Sequence, residues 1–256
     1  MSLPLKFELR YNPEPQRLFA ALASSPWSMW LDSSAGTASE GELGRFDILV
    51  AEPWLTLVTH GDETLITSTE GCTSSSKDPF ELLREALGAE PQYEGDPDIP
   101  FAGGAVGYFG YDLARRIEPL AATARDDIRM PEMAIGLYDW AVVFDHHERR
   151  CWLVSHGRCQ ETHDSWPRLE SRFSEVPALE VGKFRATSVI RSNMDEEGYA
   201  KAFQRIQNYL VEGDCYQVNF AQRFSVEVTG YPWQGYLQLR QQNPAPFSAY
   251  LNTPYG

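Results

Sequence analysis

Residues 213–224, GDCYQVNFAQRF, carry polar side chains within an otherwise hydrophobic run. Gln217 and Asn219 supply amides, and Arg223 supplies a guanidinium group. An amide both donates and accepts hydrogen bonds without adding charge, which suits the wall of a semi-buried site for a polar ligand. A half-buried strand with one solvated face would show the same pattern, so the residues alone leave both interpretations open.

The alternation within this run predicts a strand. Tyr216 and Phe220 fall on one face together with other apolar residues, whereas Gln217, Asn219 and Arg223 fall on the opposite face. We therefore expect the three polar side chains to lie side by side.

A helix is predicted directly before this strand. Its apolar residues follow the spacing of one helical stripe, and they are Tyr199, Phe203, Ile206 and Leu210. Asn193 with Glu196 predicts a start that resembles a capping box, and Gly213 predicts the end.

The glycine-rich stretch FAGGAVGYFGYDLARRIE, residues 101–118, has the composition of a phosphate loop but not its spacing. It contains no GxGxxG, and no Lys-Ser or Lys-Thr follows its last glycine. Close packing of one main chain against another explains such glycines better.

Composition and charge are those of an ordinary globular chain. Its 256 residues are 43% hydrophobic and 23% charged. A net charge of −14 argues against nucleic acid as a partner, because phosphate contacts need clustered Lys and Arg. No apolar run reaches the ~20 residues of a membrane-spanning helix, and residues 1–10 lack the apolar core of a secretory signal. The four cysteines show no CxxC spacing, which indicates free thiols and a cytoplasmic protein.

The first half of the chain contains mainly short strand-like runs. They are KFELR, WSMWLDS, FDILVAEP, LTLVTHG and TLITST. Helices are predicted over PEPQRLFAALAS, over DPFELLREALG with Asp78 as the N-cap, and around residues 166–173. Residues 132–156 alternate between apolar and polar side chains as in a hairpin. Residues 157–190 are polar and mixed, and we place an approximate domain boundary within them.

Several stretches, taken in order, resemble one known family. They are RFDILVAEP, FAGGAVGYFGYDLARR, MAIGLYDWAVVFDH, SNMDEEGYAKAFQRIQNYLVEGDCYQVNFAQRF and APFSAYL. The chain resembles the N-terminal half of the chorismate-binding enzymes that include component I of aminodeoxychorismate synthase and of anthranilate synthase. GDCYQVNFAQRF with APFSAYL points to the aminodeoxychorismate branch.

The resemblance implies an α+β fold, with antiparallel sheets packed face to face and helices outside. Residues 1–185 would form an N-terminal lobe, and residues 186–256 the start of an incomplete chorismate-binding domain. The implied activity converts chorismate and ammonia into 4-amino-4-deoxychorismate, for 4-aminobenzoate and folate synthesis. A separate glutaminase, component II, would release the ammonia from glutamine.

The resemblance also implies Mg2+ in the complete enzyme, where it helps to hold the chorismate carboxylate. The family's Ser-Pro-Glu-Arg-Phe and Pro-Ile-Lys-Gly-Thr stretches and its metal-binding glutamates are not found in these residues. We therefore expect a truncated chain that lacks the metal ligands and is inactive by itself.

The resemblance gives Gln217 a catalytic role. Related enzymes that add water to chorismate carry at this position a Lys that acts as the general base. Ammonia has its own lone pair, so a neutral amide here suits a site that selects ammonia over water. Asn219 and Arg223 would support the same wall.

A second implied site binds tryptophan, either as a feedback inhibitor or as a structural ligand. The matching positions are Leu31, Ser33, Arg45, Phe46, Asp47, Pro246, Phe247 and Ser248. The anthranilate branch has a Leu-Leu-Glu-Ser stretch near the first group, whereas this chain reads WLDSS, which weakens the expectation of feedback inhibition. A surface ion pair between Arg45 and Asp47 is the alternative.

Two other functions remain open from the sequence. The chain is alternatively part of an anthranilate synthase component I-like protein, or a non-catalytic module that binds tryptophan. The presence of the Pro-Ile-Lys-Gly-Thr stretch downstream would favour the enzyme.

Overall fold

The computed structural model describes residues 4–34, 44–88, 96, 98–123, 125–178 and 182–256. The chain divides into two compact units. The first unit combines Met1–Glu180 with Leu239–Gly256, and the second is Val181–Gln238.

Strands supply most of the regular structure. In chain order they are β1 (Leu5–Leu9), β2 (Ser28–Asp32), β3 (Phe46–Val50), β4 (Leu55–His60), β5 (Glu63–Ser68), β6 (Gly71–Ser75), β7 (Gly104–Phe109), β8 (Met133–Tyr138), β9 (Trp140–Asp145), β10 (Arg150–Ser155), β11 (Arg185–Ala186), β12 (Arg191–Ser192), β13 (Phe224–Ser225), β14 (Val228–Thr229) and β15 (Ser248–Asn252).

The described residues also form helices. They are α1 (Pro15–Ala20), α2 (Pro79–Leu87), α3 (Gln160–Ser174), α4 (Glu196–Glu212) and α5 (Pro232–Gln242), with a 3-10 helix at Tyr111–Arg116.

Two antiparallel sheets form the first unit. One has six strands in the order β1-β10-β9-β3-β2-β15, and the other has five in the order β6-β5-β4-β8-β7. Met29, Val143 and Trp152 of the six-stranded sheet share a buried cluster with Val106 and Tyr138 of the five-stranded sheet. Each such side chain contributes about 1.5–3 kcal/mol when it is buried. The sheets therefore pack face to face, and the predicted α+β class is confirmed.

The predicted hairpin over residues 132–156 is wrong in its first strand. β9 pairs with β10 as a hairpin, but β8 pairs with β4 and β7 in the other sheet. Asp139 is the only residue between β8 and β9. The chain therefore crosses from one sheet to the other at Asp139. Its buried carboxylate accepts hydrogen bonds from the main-chain N–H groups of Arg158 at 2.9 Å and Cys159 at 3.0 Å.

The glycine-rich stretch forms β7 and packs against β8, as its composition predicts. A Cβ on Gly107 would lie 2.1 Å from the main-chain oxygen of Ala134. This close approach of two main chains requires glycine at this position.

The helix signals in the sequence are largely confirmed. Asp78 caps α2, because its side chain accepts from the N–H groups of Phe80 and Glu81. α4 ends at Gly213 in the left-handed conformation, with φ 80°. The predicted N-cap of α4 is wrong by two residues, because Asp195, not Asn193, caps the helix by accepting from the N–H of Gly198.

The predicted strand around Gln217 is absent from the structure. Residues 214–223 have no helix or strand assignment, and regular pairing begins at β13, which pairs with β12. A strand needs a neighbour to take up its main-chain hydrogen bonds. Within the described residues no strand pairs with 214–223, and Tyr216 is 98% exposed.

Candidate functional site

A cavity of about 660 Å3 lies in the first unit, beside the ends of β2, β3 and β15. Its volume falls within the range usual for small-molecule sites. The lining residues are Leu31, Asp32, Ser33, Gly44, Arg45, Phe46, His147, Pro246, Phe247, Ser248 and Ala249. The structure thus brings together both groups of residues that the resemblance assigns to a tryptophan site, with Asp47 as the exception.

Strand pairing brings the two groups together although they are far apart in the sequence. β15 pairs antiparallel with β2, so that Ser248 lies opposite Asp32 and Ala249 opposite Leu31. β2 in turn pairs with β3, with Leu31 opposite Ile48. The cavity therefore depends on the return of β15 to the first unit.

Apolar side chains with exposed surface line part of the cavity. Phe247 is 84% exposed and Leu31 is 37% exposed. The Arg45 guanidinium lies 4.6 Å from the ring centroid of Phe46. An aromatic ligand covering these side chains would remove apolar surface from water, which is favourable.

Arg45 pairs with Asp145, so the alternative ion pair with Asp47 is wrong. Its Nε and Nη2 both donate to Asp145 Oδ2, at 3.0 Å and 2.6 Å. Burial acts to raise the pKa of Asp145, but hydrogen bonds from Arg45 and from the main-chain N–H groups of Glu148 and His147 lower it below its ordinary value. Arg45 therefore stays charged and fixed at the cavity.

Asp47 is fully buried and does not line the cavity. Its Oδ1 accepts hydrogen bonds from the Ser33 N–H at 2.6 Å and from Ser33 Oγ at 2.7 Å. Its Oδ2 lies 3.2 Å from His146 Nε2. Asp47 therefore does not contact the cavity as the resemblance implies. It lies behind Ser33 and holds that residue by hydrogen bonds.

Asp32 and Arg240 form a buried ion pair that sequence analysis missed. Arg240 Nε donates to Asp32 Oδ2 at 2.7 Å, and Nη2 donates to Oδ1 at 3.1 Å. The guanidinium also lies 5.1 Å from the ring centroid of Trp30. Asp32 stands where the family's Leu-Leu-Glu-Ser stretch has its Glu, and this departure was the available signal. Arg240 lies in the polar stretch LQLRQQ, which gives no local signal.

Gln217, Asn219 and Arg223 lie in the second unit and are exposed. Gln217 Nε2 donates to Asn219 Oδ1 at 3.5 Å, so the two amides are neighbours although the predicted strand does not form. The Arg223 N–H donates to Asn193 Oδ1 at 2.8 Å. This geometry does not test their assigned roles, which stay predictions.

The donor groups of the described residues do not fit a magnesium site. Among them, no group of three or more His, Cys, Asp or Glu side chains is placed to hold a metal ion. We therefore derive no catalytic step through Mg2+. The part of the chain that the structure describes also contains no helix with the length and apolar character needed to cross a membrane.

Comparison with known proteins identifies the family. The sequence profile of the family described as "chorismate binding enzyme" matches residues 34–256. The chain therefore belongs to this family. It is 42% identical to aminodeoxychorismate synthase component 1 of Klebsiella aerogenes, over 100% of this chain and 55% of that protein. It is 43% identical to the protein of the same name from Escherichia coli (strain K12), over 93% of this chain and 51% of that protein.

More distant relatives include members of the anthranilate branch. The chain is 30% identical to the chloroplastic anthranilate synthase alpha subunit 1 of Oryza sativa subsp. indica, over 87% of this chain and 43% of that protein. The crystal structure of anthranilate synthase component I from Streptococcus pneumoniae TIGR4 superposes with a TM-score of 0.63 at 24% identity, covering 84% of this chain and 49% of that one. That similarity concerns the fold alone. The chain spans about half the length of the curated relatives it matches.

Proposed function

We propose that this chain is the N-terminal portion of a synthase that converts chorismate and ammonia into 4-amino-4-deoxychorismate. The observation that carries the proposal is the identity of 42% along the whole chain to an aminodeoxychorismate synthase component 1, against 30% to an anthranilate synthase alpha subunit. A component II glutaminase would supply the ammonia. Mg2+ would be held by residues outside these 256, and the cytoplasmic location stays a prediction.

Gln217 would act in this reaction by selecting the nucleophile. A neutral amide cannot take a proton from water at neutral pH, so water is not activated at this position. Ammonia needs no such activation. Asn219 is the hydrogen-bonding neighbour of Gln217, and we assign it, with Arg223, to the wall of the same site.

The cavity of the first unit would hold a tryptophan molecule. Its volume and the apolar side chains of Leu31, Phe46 and Phe247 support this assignment. Burial of an indole would contribute a few kcal/mol at about 25 cal/mol per Å2, before the cost of ordering the ligand.

A growth experiment tests the enzymatic proposal. A form of the protein that spans the full length of its relatives, here called the full-length form, is expressed in two bacterial strains. One strain lacks its own aminodeoxychorismate synthase component 1 and needs 4-aminobenzoate, and the other lacks anthranilate synthase component I and needs tryptophan. We expect growth without supplement only in the first strain. Growth only in the second would establish the anthranilate alternative.

Calorimetric titration with tryptophan tests the cavity and uses the 256-residue chain itself. We expect binding to the wild type and weaker binding to Phe247→Ala, because Phe247 is an exposed wall residue whose loss leaves the core intact. Phe203→Ala is the matched control, since it removes a half-exposed Phe from α4. Equal affinity in all three proteins would mean that the ligand binds elsewhere. Binding by a full-length form that makes no product would favour the non-catalytic module.

A further inference from the structure

A second cavity of the first unit lies at the opposite edge of the six-stranded sheet from the proposed tryptophan cavity. β1 forms this edge, whereas β15 forms the other. The second cavity, here called the β1 cavity, has a volume of about 290 Å3. The two cavities share no lining residue. The β1 cavity is therefore a separate place for a ligand.

Hydrogen bonds fix the loop that forms one wall of the β1 cavity. The N–H of Ile99 donates to the main-chain oxygen of Asp96 at 2.9 Å. The N–H of His156 donates to the main-chain oxygen of Ala102 at 3.0 Å. Lys6 Nζ donates to Asp96 Oδ2 at 2.6 Å. The loop is thus tied both to β1 and to the residue that follows β10, so the cavity is part of the fold.

Apolar residues supply most of the lining of the β1 cavity. Leu5, Ile99 and Phe101 are half-buried, and Val154 is buried. A cavity of about 150 Å3 lined by such side chains is large enough to hold benzene. The β1 cavity therefore has room for an aromatic ring with a small substituent, and such a ring would remove apolar surface from water.

The ionisable groups among the described lining residues leave no unpaired charge. Lys6 and Asp96 pair with each other. Burial lowers the pKa of His156, and the charge of Arg158 lowers it further, whereas the charge of Asp139 acts in the opposite direction. The imidazole is therefore neutral at pH 7. A charged ligand would leave water here without gaining an opposite charge, which is unfavourable.

His156 supplies a polar group for a ligand in the β1 cavity. Its side chain lines the cavity and is half-buried. Its ring nitrogens have no hydrogen-bond partner within the part of the chain that the structure describes. A neutral imidazole offers one N–H donor and one nitrogen acceptor. A hydroxyl or amino group on a ligand can pair with either nitrogen.

We propose that the β1 cavity binds a small, uncharged aromatic compound, and that His156 forms a hydrogen bond with a hydroxyl or amino group on its ring. This site goes beyond the proposed synthase reaction and the proposed tryptophan cavity. Because it disfavours charge, it is not a second site for chorismate or for an amino acid.

Three fluorinated ligands of similar size test the proposal on the 256-residue chain by fluorine NMR titration at pH 7. 4-Fluorophenol has the ring and the hydroxyl, fluorobenzene lacks the hydroxyl, and 4-fluorobenzoate carries a charge instead. Since the hydrogen bond to His156 adds a modest net stabilisation, 4-fluorophenol should bind about three- to tenfold more tightly than fluorobenzene. It should bind at least about tenfold more tightly than 4-fluorobenzoate. Equal affinities for the three ligands, or no binding of 4-fluorophenol, would overturn the proposal.

The hydrogen bond is tested with a variant of His156. His156→Leu removes both ring nitrogens but keeps an apolar wall, so the affinities for 4-fluorophenol and fluorobenzene should come to within about twofold of each other. His60→Leu is the matched control, because His60 is an exposed histidine of β4 that does not line the cavity. It should keep the preference of the wild type. A folded His156→Leu protein with an unchanged preference would contradict the role of His156.

The position of the site is tested by filling the cavity. Leu5→Trp places a larger side chain in the lining and should abolish binding of both 4-fluorophenol and fluorobenzene. Phe7→Trp is the matched control, because Phe7 lies two residues further along β1, on the same face, and does not line the cavity. It should bind both ligands as the wild type does.

Thermal unfolding shows which of these variants fold. If His156→Leu does not fold, the three ligands and Leu5→Trp decide the matter. Undiminished binding to a folded Leu5→Trp protein, or displacement of 4-fluorophenol by tryptophan, would place the ligand elsewhere and overturn the proposal. The growth experiment and the titration with tryptophan test the other proposals independently of this result.

Discussion

Phe46 and Asp47 are neighbours in β3, and their side chains therefore point to opposite faces of the sheet. Phe46 lines the cavity, whereas Asp47 lies behind it. The resemblance named both as ligand contacts, and the period of a strand already shows that both cannot face one cavity. Seven of the eight residues named from the resemblance line one cavity. The sequence did not indicate His146 or Arg240, because their contacts join residues distant in the chain.

The ion pair between Arg45 and Asp145 predicts a pH dependence of stability. Asp145→Asn should lower the free energy of unfolding at pH 7 by about 1–3 kcal/mol, because hydrogen bonds to a charged group are lost. The folded pKa of Asp145 lies below its ordinary value, so this stabilisation is complete above the unfolded pKa and is lost as pH falls through the folded pKa. Urea unfolding should therefore show a difference between wild type and variant that narrows below about pH 4.

Asp62→Asn is the control for that experiment, because the side chain of Asp62 is 98% exposed. Its effect should stay small at every pH. A difference for Asp145→Asn that is constant down to pH 3 would contradict the assignment.

Gln217 carries the sharpest chemical prediction. In the full-length form, Gln217→Lys should shift the reaction from ammonia toward water, because Lys supplies a general base that Gln lacks. Chromatography and mass spectrometry of the products from chorismate at low ammonium are the measurement. Asn219→Lys is the control and should produce no hydroxylated product. Loss of activity in Gln217→Lys without any hydroxylated product would show that Gln217 is only part of the wall.

At the scale of elements, the sequence predicts helices well when the residues that start and end them lie within the helix itself. It predicts strands less well, because a strand depends on pairing with another part of the chain. α2 follows from Asp78, Pro79 and Gly88, which lie in or beside the helix itself. The alternation in residues 214–223 is equally clear, but no strand forms there, because sheet pairing depends on residues far away in the chain. The same applies at Asp139, where the chain passes from β8 in one sheet to β9 in the other. The alternation of residues 132–156 does not indicate this change of sheet.

Gly107 allows an element-scale prediction. Gly107→Ala places a Cβ 2.1 Å from the Ala134 oxygen, and main-chain atoms within a sheet cannot move aside easily. We expect a loss of about 3 kcal/mol in the free energy of unfolding, measured by denaturant titration. Gly61→Ala is the comparison, because its Cβ would meet nothing within 4 Å at φ +54°, so that it costs only about 1–2 kcal/mol of backbone strain. Equal losses in the two variants would refute the packing explanation.

At the scale of the molecule, the chain has a first unit that contains its own cavity and a second unit in which several apolar side chains are exposed. Within α4, no residue is buried, and Phe203 is 49% exposed. The chain also spans about half the length of its curated relatives. We therefore expect ligand binding and catalysis to separate experimentally: the 256 residues bind an amino acid, and the chemistry requires the full-length form.

Product analysis with chorismate, ammonium and magnesium tests whether the full-length form is an aminodeoxychorismate synthase and whether the 256 residues suffice for the reaction. The full-length form and the 256-residue chain are incubated side by side with a control that contains no protein. We expect 4-amino-4-deoxychorismate from the full-length form and no product above the control from the 256-residue chain. Anthranilate as the product of the full-length form, or turnover by the 256-residue chain alone, would contradict it.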